Sequence, residues 1–221
     1  TRAERLHKQM QIYAKNIHSL WLDKDNSLWL GLFLKGALHY IPHLNRTVDY
    51  NLLSEEVSSG FCIIEDKNAH IWYGGPSGLF LIDKKKANSR PEKISSLRVF
   101  NLVQFNDSIL WAGTRKGSIF QINTHTLKVT SLPILPHTDL YITYIYPDSH
   151  QRIWIGTDNN GLYVSDRNGS IIAFYSKEQL GSNAIKGIIE DEMSNVWVGT
   201  GNGLCCINSQ TGSIDRYTTA D

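Results

Sequence analysis

The sequence predicts an all-β chain, a β-propeller built of four-stranded antiparallel blades, on three observations. Trp29, Trp72, Trp111, Trp154 and Trp197 are each followed two positions on by glycine (Gly31, Gly74, Gly113, Gly156 and Gly199), at intervals of 43, 39, 43 and 43 residues. Self-similarity at a period between about 20 and 50 residues marks a repeat architecture. An aspartate stands six residues before the tryptophan in four of the units, at Asp23, Asp66, Asp148 and Asp191, with a polar turn between the two. Each unit also has room for four short runs split by Gly, Asn, Asp and Ser, with no helical periodicity, which is the cue for a propeller blade.

The elements of a unit follow in order. The first strand is an apolar run such as "IHSLWL", "FCIIE", "ITYIYP" or "IKGIIE", long enough for a strand and too short for a helix. The polar segment after it bends because Asp and Asn bond their own downstream backbone, giving a hairpin. The second strand carries the tryptophan, whose flat ring fills the wedge between neighbouring sheets. Burying about 150–250 Å² of ring at about 25 cal/mol/Å² contributes at most about 4–6 kcal/mol each. The glycine two positions on shares the tryptophan's face and is expected to let adjacent backbone come close. A glycine-bearing loop leads to a third strand, such as "LFLID" or "LYVSD", and a more polar fourth, such as "SIIAFYS" or "SIDRYTT".

Five blades are expected, over about 17–59, 60–98, 99–141, 142–184 and 185–221. The third departs from the pattern, since Asp107 lies only four residues before Trp111 and its turn is therefore tighter. "HKQMQIYAK" reads as the last strand of a preceding blade over residues 1–16. A closed ring of five has no place for that strand, so the chain is expected to be an arc of a larger propeller, with seven blades as the parent.

Composition excludes several classes. Lys plus Arg against Asp plus Glu is 22 to 21, a net charge of +1, so no basic field is available to hold nucleic acid. No apolar run reaches the length of a membrane helix. The opening "TRAERLHKQM" has neither an initiator Met nor an apolar signal core, the mark of a processed chain or a piece of a longer one. Cys62, Cys205 and Cys206 cannot all pair, and adjacent strand cysteines point to opposite faces. "DKDNS" at Asp23 begins like a calcium loop but has Leu34 at its twelfth position, where a carboxylate is needed. No spacing of metal ligands, phosphate-cradling loop, GxSxG or HExxH occurs, so neither a cofactor, a metal nor a catalytic residue is assigned. "KKK" at 84–86 reads as a solvated turn.

The segments "IIEDEMSNVWVGTGNGLCCIN" and "YIYPDSHQRIWIGTDNNGLYVSD" resemble the two-component regulator propeller repeat, and "FYSKEQLGSNAIKGIIED" resembles its inter-blade linker. The resemblance runs from Gln11 onward. It implies a non-catalytic periplasmic sensor region of a hybrid two-component histidine kinase of the Bacteroidetes type. The partners it implies are an oligosaccharide and the remaining blades and kinase of a parent chain; a homodimer is expected on a separate ground, because exposed strand edges tend to pair between chains.

Function on such scaffolds sits on loops. Loops joining strands two and three open on the same face as the linkers entering strand one. The ligand-binding candidates on that face are His18, Arg98, Arg115, Lys116, Tyr141, Thr143, Asp158, Asn159, Asn160, Lys186 and Asn202. Polar side chains beside an aromatic suit a polyhydroxylated ligand. The competing reading for each is ordinary turn or strand duty, because turns use the same residue types. Two other functions fit a propeller: a protein-interaction scaffold of WD type, and a carbohydrate-active enzyme such as a sialidase or polysaccharide lyase. The Ser-x-Asp-x-Gly-x-Thr-Trp turn that marks sialidases is absent.

Overall fold

The computed structural model describes residues 16–50, 59–86, 88–114, 116–132, 140–208 and 210–218, so the strand expected over 1–16 lies, but for Asn16, outside the described residues. The described residues fold into five four-stranded sheets, each a simple meander in which sequence neighbours pair. Sheet one holds β1 (Ile17–Leu22), β2 (Leu28–Leu32), β3 (Gly36–Ile41) and β4 (Arg46–Asp49), and sheet two β5 (Cys62–Glu65), β6 (His70–Gly75), β7 (Gly78–Asp83) and β8 (Glu92–Ser95). Sheet three holds β9 (Val99–Asn106), β10 (Ile109–Thr114), β11 (Ile119–Asn123) and β12 (Val129–Leu132). Sheet four holds β13 (Ile142–Pro147), β14 (Ile153–Thr157), β15 (Leu162–Ser165) and β16 (Ile171–Tyr175), and sheet five β17 (Ile185–Glu190), β18 (Asn195–Thr200), β19 (Gly203–Asn208) and β20 (Ile214–Tyr217). Two compact units divide the chain, Thr1–Val99 and Phe100–Asp221.

In both units the aspartate six residues before the tryptophan does more than bend the chain. Its Oδ2 accepts the indole N–H of the tryptophan six residues on: Asp23 from Trp29 at 3.1 Å, Asp66 from Trp72 at 2.9 Å, Asp148 from Trp154 at 2.8 Å and Asp191 from Trp197 at 2.9 Å. The other oxygen holds the turn. Oδ1 of Asp148 accepts backbone N–H from His150 and Arg152, and Oδ1 of Asp191 accepts it from Met193 and Asn195. The turn closes through a residue in the left-handed region, namely Asn26, Ala69, Gln151 or Ser194. One carboxylate thus satisfies the turn and the only polar atom of a buried indole, which would otherwise lack a partner.

Sheet three shows what the shorter turn loses. Its hairpin connects β9 and β10 through Asp107 and Ser108 alone, and Phe105 stands six residues before Trp111. Phe105 packs on the indole at 5.6 Å between centroids, and the fully buried Trp111 N–H has no partner among the described residues.

The cores lie between facing sheets. In the first unit Trp29 and Ala37 pack against Ile63, Ile71, Tyr73, Phe80 and Ile82. In the second, Trp111 and Ile119 pack on Ile142, Ile145, Ile153 and Ile155, while Trp154, Leu162 and Val164 pack on Ile185, Ile188, Val196 and Val198. Trp29, Trp72, Trp111 and Trp154 are at most 1% exposed. The glycine beside the tryptophan works differently from the sequence expectation at three positions. Only at Gly31 does neighbouring backbone approach, with the Gly60 carbonyl 2.3 Å from where a Cβ would sit. At Gly74, Gly113 and Gly156 the space is filled by the side chains of Val99, Ile142 and Ile185, with atoms within 3.0 Å of the missing Cβ. The first-strand residue at the start of one sheet is a knob, and the glycine is its hole.

Within each unit, side chains on the first strand of one sheet donate to backbone at the start of the next. Ser19 Oγ donates to the Gly60 carbonyl, Asn101 Nδ2 to that of Ile142 and Thr143 Oγ1 to that of Ile185. Hydrogen bonds to charged side chains add a second tie. The Ser149 hydroxyl donates to Glu190, and Lys84, read from sequence as solvated, reaches both Asp23 and Glu65. Burial opposes the charged form of Lys84, but the Asp23 and Glu65 carboxylates raise its pKa above the ordinary lysine value. Burial likewise works against the Asp23 carboxylate, and the hydrogen bonds from Lys84 and Trp29 hold its pKa below the usual range. Only Lys85 and Lys86 of that run are exposed.

A one-turn helix, α1 (Lys177–Leu180), links sheets four and five of the all-β fold. Four residues are too few to show periodicity. The helix is fixed instead by a capping box between Ser176 and Gln179, by Gly181 in the left-handed region, and by Leu180 inserted into the core of sheets four and five.

Candidate functional site

The loops between second and third strands are held by their own side chains before any tip residue is considered. After the tryptophan and glycine, three sheets carry threonine. Thr114 Oγ1 donates to the Ser118 carbonyl, Thr157 to that of Gly161 and Thr200 to that of Gly203. The same hydroxyls accept backbone N–H groups from Lys116, Asn160 and Asn202. Sheet one has Leu32 at this place, and there Ser59 Oγ accepts the N–H of Leu34. The linkers add a strap from outside the loop. Asp158 N–H donates to the Tyr141 carbonyl, Gly161 to that of Asn183 and Gly201 to that of Ala184. Loop backbone is satisfied internally, so the tip side chains remain for other work.

In the second unit the structure brings Lys186 to Asp158, Nζ to Oδ1 at 3.1 Å, with the two side chains 57% and 58% exposed. A pair this exposed contributes little to stability. Each member keeps open valences, since an ammonium has three donors and a carboxylate about four acceptor sites. Tyr141 lies next to them through its backbone bond to Asp158 and is exposed. Lys186 and Thr143 occupy β-bulges on β17 and β13, where pairing skips a residue, and bulges re-aim side chains. The Thr143 hydroxyl is committed to the Ile185 carbonyl at 2.8 Å. Asn159, Asn160, Asn202 and Lys116 sit exposed on pinned loops.

In the first unit His18 occupies the corresponding bulge on β1. It meets two rings that sequence reasoning left off the candidate set: Phe61 at 4.4 Å and Phe33 at 5.9 Å between centroids. Phe33 is 39% exposed. The signal that could have found Phe33 is its place at the tip of the loop after Leu32, where other units carry polar residues. Arg98 is exposed and distant in sequence from this cluster, and Arg115 lies outside the described residues. Among the described residues no group of three His, Cys, Asp or Glu could hold a metal ion, and no helix is long and apolar enough to cross a membrane.

Comparison with known proteins bears on these features. Residues 137–159, which span the linker, β13, its turn and the Trp154–Gly156 strand, match the family model described as the two component regulator propeller. A curated relative, histidine kinase P4 of Formosa agariphila, is 26% identical, with 71% of this chain and 13% of that protein covered. Among solved structures, one titled as the extracellular domain of the hybrid two component system BT3049 from B. thetaiotaomicron superposes with a TM-score of 0.71 at 18% identity, covering 93% of this chain and 28% of that one. PorZ of Porphyromonas gingivalis, titled as a surface component of the type-IX secretion system, gives 0.71 at 16% identity, covering 89% and 32%. Both are similar in fold. The chain spans less than a third of each of these proteins.

Proposed function

We propose that this chain, a β-propeller segment carrying the two-component regulator repeat, is the ligand-sensing, non-catalytic part of a hybrid two-component histidine kinase and works on the periplasmic side of the inner membrane. Its ligand is an oligosaccharide, met on the face where the second-to-third-strand loops emerge. The observation that carries this reading is the exposed Lys186–Asp158 pair on pinned loops. A sugar hydroxyl both donates and accepts, so it inserts between an ammonium and a carboxylate without leaving either unpaired. In the first unit, the exposed rings of Phe33 and His18 offer apolar faces of the kind that pack on a pyranose ring. Rigid loops lower the ordering cost of binding. Binding energy that differs between two arrangements of the sensor shifts the population of kinase states.

Support comes from the family match, from the curated relative named a histidine kinase, and from a fold shared with extracellular domains of two-component systems. The test is calorimetry of the intact sensor against a panel of plant, fungal and host oligosaccharides. Saturable heat from one glycan class is the expected result. No heat from any glycan, with tight binding to a protein partner instead, replaces this reading with an interaction scaffold.

A further inference from the structure

Sheet five carries a second polar corner, outward of the Lys186–Asp158 pair. Its strands lie in the order β17, β18, β19, β20, so Lys186 on β17 and Arg216 on β20 are three inter-strand steps apart, about 14 Å at about 4.8 Å each. Asn202 sits at the tip of the hairpin between β18 and β19, and α1 rests against β20. The glycine that ends α1 opens the corner. Gly181 caps the helix at φ 77°, a conformation that side chains rarely adopt, and its N–H donates to the Lys177 carbonyl. In the space its missing side chain leaves, a Cβ would meet Nδ2 of Asn202 at 3.6 Å and Nη1 of Arg216 at 3.9 Å, and apart from the chain neighbours no other heavy atom within 4 Å. Both atoms are donors. Arg216 is exposed and makes no hydrogen bond or ion pair among the described residues. The two carboxylates on this side of the unit are engaged elsewhere, Asp158 by Lys186 and Glu178 by the Ser176 hydroxyl.

We infer that this corner is an anion subsite and that the ligand is an acidic oligosaccharide, whose carboxylate or sulfate group lies over Gly181 between Arg216 and Asn202 while another of its rings meets Lys186 and Asp158. This rests on the sugar-binding reading and narrows its ligand class. The chemistry of the corner favours an anion over a neutral hydroxyl. An ionised oxygen only accepts, so one acidic group satisfies both donors through charge-assisted bonds of about 2.7–2.9 Å. A hydroxyl would bring a proton that needs an acceptor of its own. The guanidinium of Arg216 also presents its N–H groups in a plane, which fits the paired oxygens of a carboxylate or sulfate better than a single hydroxyl. The separation of about 14 Å between β17 and β20 calls for more than one sugar ring.

The test titrates the intact sensor calorimetrically with oligogalacturonides and sulfated chondroitin oligosaccharides, each beside its carboxyl-reduced or desulfated counterpart, and with neutral xylan and mannan oligosaccharides. The expected result is saturable heat from an acidic glycan, with affinity about tenfold or more lower for the neutralised counterpart and falling as salt rises. Whether carboxyl reduction or desulfation causes the loss identifies the group bound. Arg216→Gln is expected to weaken binding of the acidic form by about tenfold or more, and Arg216→Lys by less. Neither substitution is expected to change the melting temperature or the affinity for the neutralised form, because the side chain is exposed and unpaired among the described residues. Equal affinity for acidic and neutralised forms, heat from neutral glycans alone, or undiminished binding of the acidic form by Arg216→Gln overturns the anion subsite and leaves the sugar-sensing reading standing. No heat from any glycan, acidic or neutral, overturns both.

Discussion

Two tryptophans in the second unit, equally buried and differently bonded, allow the value of the aspartate to be isolated. Trp154 donates its indole N–H to Asp148 at 2.8 Å, and Trp111 donates to nothing among the described residues. Replacing either by phenylalanine removes part of a ring that is at most 1% exposed, costing about 1–2 kcal/mol at both positions. At Trp154 the change also removes a hydrogen bond to a charged acceptor, worth about 1.5–3 kcal/mol. At Trp111 it removes a buried donor that has no partner, which offsets the packing loss by about 1–3 kcal/mol. Trp154→Phe is therefore expected to destabilise the protein by about 3–5 kcal/mol and Trp111→Phe by about 1 kcal/mol or less. For a chain of this size a gap of about 3 kcal/mol corresponds to roughly 6–12 °C in Tm. Urea unfolding followed by circular dichroism measures both variants on a signal that does not depend on the residue replaced. Equal costs at the two sites would refute the reasoning, since packing alone would then explain both.

Three further outcomes follow from the first unit. Lys84→Met strands the Asp23 and Glu65 carboxylates and is expected to cost about 1–3 kcal/mol in urea unfolding, against no more than about 0.5 for Lys85→Met. His39 stacks on Trp29 with 4.0 Å between ring centroids, and burial pulls its pKa from 6.5 down to about 4, with Asp25 and Asp23 opposing. The unfolded chain then binds more protons between those values, so stability is full above about pH 6.5 and falls as pH drops toward 4; His39→Phe should flatten that slope in a pH series of melting temperatures. Ala69 closes its turn at φ 66°. Relief of left-handed strain slightly exceeds the entropy cost of glycine, so Ala69→Gly should stabilise by about 0.5 kcal/mol, and a lowered Tm would contradict it.

The repeat was legible because its physics is local and periodic. The indole, the glycine beside it and the aspartate six residues earlier recur at nearly fixed spacing, and a sheet of four short strands is what such a unit can form. The same spacing held information that turn chemistry alone did not extract: a constant offset of six between Asp and Trp is a hydrogen bond, and Phe105 at that offset forecasts the unpaired Trp111. Thr114, Thr157 and Thr200 formed a visible pattern whose role as loop pins required coordinates, because their bonds run to backbone. Lys84 was not legible, since its two carboxylate partners are 61 and 19 residues away. Of the candidate site residues, sequence placed Lys186 and Asp158 on the right elements, but their meeting depends on the bulge that turns Lys186 outward. Phe33 escaped because insertion in the first unit puts an aromatic where the other units have polar tips.

The proposed reading has the loop face of this chain binding sugar through Lys186 and Asp158. It is tested most directly by calorimetric titration of the intact sensor and its Lys186→Ala and Asp158→Ala variants with whichever glycan gives saturable heat. Loss of affinity by about tenfold or more in each variant, with unchanged melting temperature, is the predicted result. Undiminished affinity in both would contradict it.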